Sequence, residues 1–223
     1  MEKRPNIFVV SAPSGTGKTT LNRRLLRQYD DLEMSISYTA RPKRDGEENG
    51  RDYHFISDAD FRKKIAAGEM LEHAEVFGIL YGTALEEMRR IHGLGKNVLL
   101  EIDTQGWEQA KPKLTDYLSI FILPPSMEEL WRRLERRGTE GRDVQLRRFM
   151  TAKDEIACGS LYDRFIINDC VDTAYQKLED TVIKGKNGGM THEQGIAFCR
   201  GLLEECEKSP VLQRLSAEFA DRD

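Results

Sequence analysis

Residues 12–19 read Ala-Pro-Ser-Gly-Thr-Gly-Lys-Thr and lie between an apolar run and a helical pattern. In that setting Ala12, Pro13, Ser14, Gly15, Thr16 and Gly17 form a tight turn. Its backbone N–H groups, with the helix N-terminus that follows at Lys18, Thr19 and Thr20, converge on an anion such as a phosphate. Gly15 and Gly17 allow close backbone approach. Lys18 would reach the β- and γ-phosphates of a nucleotide as a catalytic group, and the Thr19 hydroxyl would hold Mg²⁺. The pattern departs from GxxxxGK[ST] at one point, with Ala12 in place of the first glycine. The motif implies a nucleotide phosphate without naming a reaction.

A second constellation follows. Ser37-Tyr-Thr-Ala-Arg41-Pro-Lys-Arg44-Asp-Gly46-Glu47 precedes Asn49-Gly50-Arg-Asp-Tyr53, then Leu71-Glu72-His-Ala-Glu-Val-Phe-Gly78 and Tyr81-Gly82-Thr83. In these ordered motifs the chain resembles the guanylate kinase family, from the phosphate loop to about Lys184. The resemblance implies ATP as phosphoryl donor, GMP as acceptor and Mg²⁺ as cofactor.

The residue chemistry agrees with that resemblance. A phosphate monoester dianion suits planar bidentate cations, which Arg41 and Arg44 offer. In the family the matching arginines, with tyrosines matching Tyr53 and Tyr81, grip the GMP phosphate. Guanine presents two adjacent donors, N1–H and the 2-amino group, and one carboxylate, Glu72, can accept from both. Adenine presents an acceptor at N1 and would leave a buried carboxylate unpaired. By resemblance, Ser37 and Thr83 donate hydroxyl hydrogen bonds near O6. For Arg41 and Arg44 the plainer alternative is a solvated loop paired with Asp45, Glu47 and Glu48. For Glu72 it is a solvent-facing strand position. Ile79-Leu80 stands where relatives commonly carry Asn-Tyr.

Glu101-Ile-Asp103 ends another apolar run, and Asp103 resembles the family's acid near the acceptor base and metal-bound waters. A helix N-cap is compatible with that role. Seven arginines fall between Arg132 and Arg148. By resemblance Arg133, Arg137 and Arg148 touch the transferring phosphates or the donor nucleotide, where cationic charge would stabilise the moving group. The other four also suit an exposed helix neutralised by glutamates. Asn168 resembles the family's donor-nucleotide contact.

Elements must position these groups. Asn6–Ser11, Asn97–Ile102, Leu118–Leu123 and Arg164–Asn168 are short, apolar and rich in β-branched residues, as buried parallel strands are. Helical patterns separate them, which predicts an α/β fold: a P-loop kinase core with a parallel sheet. Two stretches interrupt the alternation, a GMP-binding region over 37–83 and a charged helical lid over 126–158. The core then comprises 1–36, 84–125 and 159–184. Ser57 with Asp60, Ser126 with Glu129 and Thr191 with Gln194 read as helix caps. The 185–223 stretch is a helical C-terminal extension reached through a glycine-containing joint. Ile196, Cys199, Leu202, Leu203 and Cys206 share one helical face.

The 223 residues carry 34 Lys plus Arg against 38 Asp plus Glu, a net charge of −4. That balance gives no footprint for non-specific nucleic-acid or membrane binding, so a bound anion would need local basic clusters. No apolar run reaches membrane-span length. The spacing of Cys158, Cys170, Cys199 and Cys206 suits reduced thiols in a cytoplasmic protein. Small-molecule nucleotides are the expected partners, in a monomer or homo-oligomer. Two rival functions are a kinase for another nucleoside monophosphate and a silent guanylate-kinase-like interaction module. The latter tends to lose the loop lysine that Lys18 retains here.

Overall fold

The apolar run before the glycine-rich loop is a strand whose five residues, Ile7–Ser11, are all buried. In the computed structural model, residues 6–136 and 141–220 are described. The elements in chain order are β1 (Ile7–Ser11), α1 (Lys18–Gln28), β2 (Leu32–Met34), β3 (Tyr38–Thr39), β4 (His54–Phe55) and α2 (Asp58–Ala66). Next come β5 (Met70–Val76), β6 (Ile79–Ala84), α3 (Leu85–Gly93), β7 (Asn97–Glu101), α4 (Thr104–Ala110) and β8 (Tyr117–Leu123). The chain continues through α5 (Met127–Arg136), α6 (Arg142–Ala157), β9 (Arg164–Ile167), α7 (Val171–Val182), α8 (His192–Lys208) and α9 (Pro210–Ala220).

The strands form two sheets, ordered β2-β7-β1-β8-β9 and β4-β3-β6-β5. The first carries the parallel β2–β7 and β8–β9 pairs, as an α/β alternation requires. The four apolar runs all become strands of this sheet. The fifth strand, β2, has one buried residue in three, too short a signal to stand out in the sequence.

By internal contacts the chain groups into two compact units. One joins the residues up to Val9 with Tyr29–Tyr117; the other joins Val10–Gln28 with everything from Leu118 onward. The first unit holds the small sheet, where β5 and β6 form an antiparallel hairpin pairing Glu72 with Thr83. Its core is Tyr38, Phe61, Met70, Leu80 and Ala84. Leu80 is buried in that core. Helix α2 starts where Ser57 accepts from the Asp60 N–H at 3.1 Å.

In the second unit α5 buries Met127, Leu130, Trp131 and Leu134, a stripe at i, i+3, i+4 and i+7. Ser126 accepts from the Glu129 N–H at 3.0 Å. Thr191 and Gln194 form a reciprocal capping box at the start of α8. On the predicted α8 face Cys199, Leu202 and Cys206 are buried, while Ile196 and Leu203 are half-buried.

Candidate functional site

The phosphate loop belongs to the second unit. Its curvature is fixed internally: the buried Thr16 donates through both its backbone N–H (3.1 Å) and its hydroxyl (2.7 Å) to the Pro13 carbonyl. Gly17 has φ +96°, and a Cβ there would stand 2.7 Å from Asn168 Nδ2, so both conformation and space demand glycine. The Asn168 amide, buried at the end of β9, donates to the Thr16 carbonyl at 2.6 Å. The structure therefore places Asn168 as a brace on the loop backbone. Lys18 and Thr19 stand in the first turn of α1 with Thr20 beside them.

The lid residue Arg133 lies in the same unit. Its Nη2 donates to the Asn168 carbonyl at 2.9 Å, and its Nε donates to Glu129 at 2.8 Å. Burial pulls its pKa below the usual arginine value, a cost that the Asp169 charge partly offsets. Leu134 and Leu130 of the same helix lie within 3.0 and 3.2 Å of the Cβ position at Gly15, so α5 packs on the loop itself. Arg148 is half-buried on α6, and Arg137 falls outside the described residues.

The acceptor constellation belongs to the first unit. Arg41 is buried, with its guanidinium fork on both Glu47 oxygens at 2.8 and 2.5 Å. The guanidinium lies 5.4 Å from the Tyr53 ring centre, and Tyr53 meets Tyr81 edge-on at 6.1 Å. Glu47 hydrogen bonds, its charge and the Tyr81 hydroxyl raise the Arg41 pKa further. In return Arg41, with the Arg44 backbone N–H, holds the Glu47 carboxyl down to about 2. Arg41 and Arg44 thus differ: one is sequestered in an ion pair, whereas the other is exposed on the surface. Arg44 reaches Glu47 through its backbone N–H at 2.8 Å.

Glu72 is buried on β5 rather than facing solvent, with 8% of its surface exposed. Burial is the main cause raising its pKa above the usual carboxyl value, and the Asp103 charge adds to it. Hydrogen bonds from the Thr83 hydroxyl and N–H oppose the rise without cancelling it. Glu72 Oε2 lies 3.0 Å from the Cβ position at Gly106, so the carboxyl rests against the first turn of α4. Asp103 caps that turn, accepting from the Gly106 N–H at 2.7 Å. Ser37 is half-buried just before β3.

Two supports in this unit carry no motif. Lys113 donates to the Met70 and Leu71 carbonyls at 3.1 and 2.7 Å, and Gln109 exchanges hydrogen bonds with the His73 backbone at 3.2 and 3.1 Å. Together they fasten β5 to the chain after Asp103. Their spacing of four could mark a shared helical face. It does not reveal which strand that face meets.

A closed loop of this form, at the end of β1 in a parallel sheet, defines a P-loop nucleotide-binding protein of the α/β class. The family model described as guanylate kinase matches residues 4–184. A guanylate kinase from Neisseria meningitidis is 45% identical over 202 residues, covering 91% of this chain and 97% of its own length. One from Dechloromonas aromatica is 49% identical over 177 residues, covering 79% and 88%. The crystal structure of guanylate kinase from Anaplasma phagocytophilum aligns with a TM-score of 0.61 at 31% identity, over 81% of this chain and 85% of that one. The chain belongs to the guanylate kinase family.

Proposed function

We propose that this chain transfers the γ-phosphoryl group of ATP to GMP, giving ADP and GDP. The observation that carries the reading is Glu72, a carboxylate buried on β5 against the first turn of α4, where it can accept from a ligand. Guanine N1–H and its 2-amino group supply two such donors side by side. The Ser37 hydroxyl serves O6, the Thr83 hydroxyl turns from Glu72 to O6 as guanine takes its place on the carboxylate, and Asp103 flanks the base. Arg41, Arg44, Tyr53 and Tyr81 hold the GMP phosphate. That phosphate competes with Glu47 for the Arg41 fork.

On the donor side the N–H groups from Ala12 to Thr20 and the Lys18 ammonium receive the ATP phosphates, while Asn168 keeps the loop in shape. Thr19 offers a hard oxygen at the head of α1, which suits Mg²⁺; that ion commonly takes one or two protein oxygens and completes its shell with nucleotide phosphates and water. Among the described residues no group of three or more His, Cys, Asp or Glu forms a separate metal cluster. Bound there, Mg²⁺ would neutralise charge on the transferring phosphoryl group. Arg133, Arg137 and Arg148 spread cationic charge over that group and exclude water. No covalent intermediate is required.

None of the four cysteines is disulfide-bonded, and burial pushes the Cys199 and Cys206 thiols up to about 12 and 11. This supports a reducing, cytoplasmic setting with nucleotides as partners. Among the described residues no helix is long and apolar enough to cross a membrane.

The test is a coupled assay of nucleoside diphosphate formation with GMP, AMP, CMP and UMP. GMP should be phosphorylated at least a hundredfold more efficiently than the others. Comparable rates with another monophosphate would assign the chain a different acceptor, and no turnover with any would favour a silent interaction module.

A further inference from the structure

The helices after the family-matched range grip the lid. The chain first ties itself to the core: Met190 exchanges backbone hydrogen bonds with Phe165 of β9 at 2.8 and 3.2 Å. Gly195 then lets α8 lie on the Phe165 ring, where a Cβ would stand 1.9 Å from a ring atom. From this anchor α8 and α9 pack on both lid helices.

Two glutamates make the polar part of that contact. Glu205 of α8 accepts from the Met127 N–H with one oxygen (2.9 Å) and from the Glu128 N–H with the other (3.1 Å). These are the first two residues of α5, whose N–H groups have no partner within the helix. A carboxylate there also faces the positive end of the helix dipole. Ser209 adds a hydrogen bond to the Glu128 side chain at 2.6 Å. Glu218 of α9 receives Arg142 Nε and Nη2 at 3.2 and 3.0 Å, and Arg142 is the first residue of α6. The same guanidinium reaches Glu135 at 2.9 Å and lies 4.5 Å over the Trp131 ring, joining α6 to α5.

Each lid helix is therefore held at its start by one extension carboxylate. Helix α5 carries Arg133, whose guanidinium meets the Asn168 carbonyl while the Asn168 amide holds the phosphate loop. Helix α6 carries Arg148. We propose that the C-terminal extension sets the stance of the lid, with Glu205 and Glu218 as positioning residues for phosphoryl transfer. The inference rests on the reading that the lid arginines serve the donor phosphates. GMP recognition, built in the other unit, is outside its reach.

The test compares Glu205→Gln and Glu218→Gln with the parent by hydrogen exchange and by steady-state kinetics; Ser209→Ala is a milder variant should either misfold. Amide exchange in the first turns of α5 or α6 should speed up at least tenfold, with β1 and β8 unchanged. The KM for ATP should rise at least threefold, with or without a fall in kcat, and the dissociation constant for GMP should stay unchanged. Glu205→Asp should recover part of the Glu205→Gln loss. Unchanged exchange in the lid helices overturns the inference. So does faster exchange with parental kinetics, or a uniform fall in activity with every KM preserved, which marks a merely structural role. Arg133→Ala tests the underlying reading separately: parental turnover in that variant would remove the lid arginines from the reaction whatever the exchange data show.

Discussion

Replacing Glu72 by glutamine keeps the shape and removes one charge at the position proposed to select the base. A hydrogen bond to a charged group contributes about 1.5–3 kcal/mol, and a neutral one about 1 kcal/mol. With guanine, the glutamine oxygen still accepts from one donor, now as a neutral partner, and its amide nitrogen faces the second donor without an acceptor. The loss is one charge-assisted bond plus the difference on the other, about 2–5 kcal/mol. At 1.36 kcal/mol per decade that lowers kcat/KM for GMP by a factor of about 30 to 5,000. A coupled assay with GMP and with the analogue lacking the 2-amino group isolates the effect: the parent prefers GMP, and the variant loses that preference. Stability moves the other way. The raised folded-state pKa means that ionised Glu72 costs stability above that pKa, and the cost fades as pH falls towards the unfolded value. Glu72→Gln should accordingly raise Tm at pH 7, with each kcal/mol of relief showing as roughly 2–4 °C in a chain of this size. The same shift makes GMP binding weaken with falling pH sooner than an ordinary carboxyl would. GMP turnover in Glu72→Gln within tenfold of the parent, with selectivity intact, would refute the reasoning.

If Lys18 serves the donor phosphates alone, as proposed, Lys18→Ala should abolish turnover and leave GMP affinity within about twofold by calorimetry. Gly17→Ala forces a left-handed backbone on alanine and drives its Cβ into Asn168; about 1–3 kcal/mol of destabilisation follows, with loss of ATP binding by fluorescence titration. The β5–β6 hairpin turns on Phe77 and Gly78, both at positive φ (51° and 76°), with the Phe77 side chain 91% exposed. Asparagine suits that turn better, so Phe77→Asn should gain about 0.5–1 kcal/mol in urea unfolding without changing activity.

How far the sequence speaks depends on whether a residue's task is local. The shape of the phosphate loop could be read outright because Gly15 and Gly17 act through their own backbone and a helix starts beside them at Lys18. The side-chain caps at Ser57, Asp103, Ser126 and Thr191 were legible for the same reason: donor and acceptor lie three residues apart. Glu72 marks the limit. Strand alternation alone would turn it to solvent, and only its ordered neighbours in the family pattern argued otherwise; its burial comes from α4, more than thirty residues away. Arg41 shows a further limit. Its positive charge was evident, whereas the fact that Glu47 occupies its fork while Arg44 stays outside depends on how one loop closes. Glu205 lies beyond any motif, because nothing in the spelling of α8 says that its carboxylate ends the helix of another segment 77 residues earlier. Long-range hydrogen bonds of this kind form where packing offsets the entropy of loop closure, and the linear pattern does not carry that packing. In this family the chemistry is written in short motifs, and what holds the motifs in place is distributed along the chain.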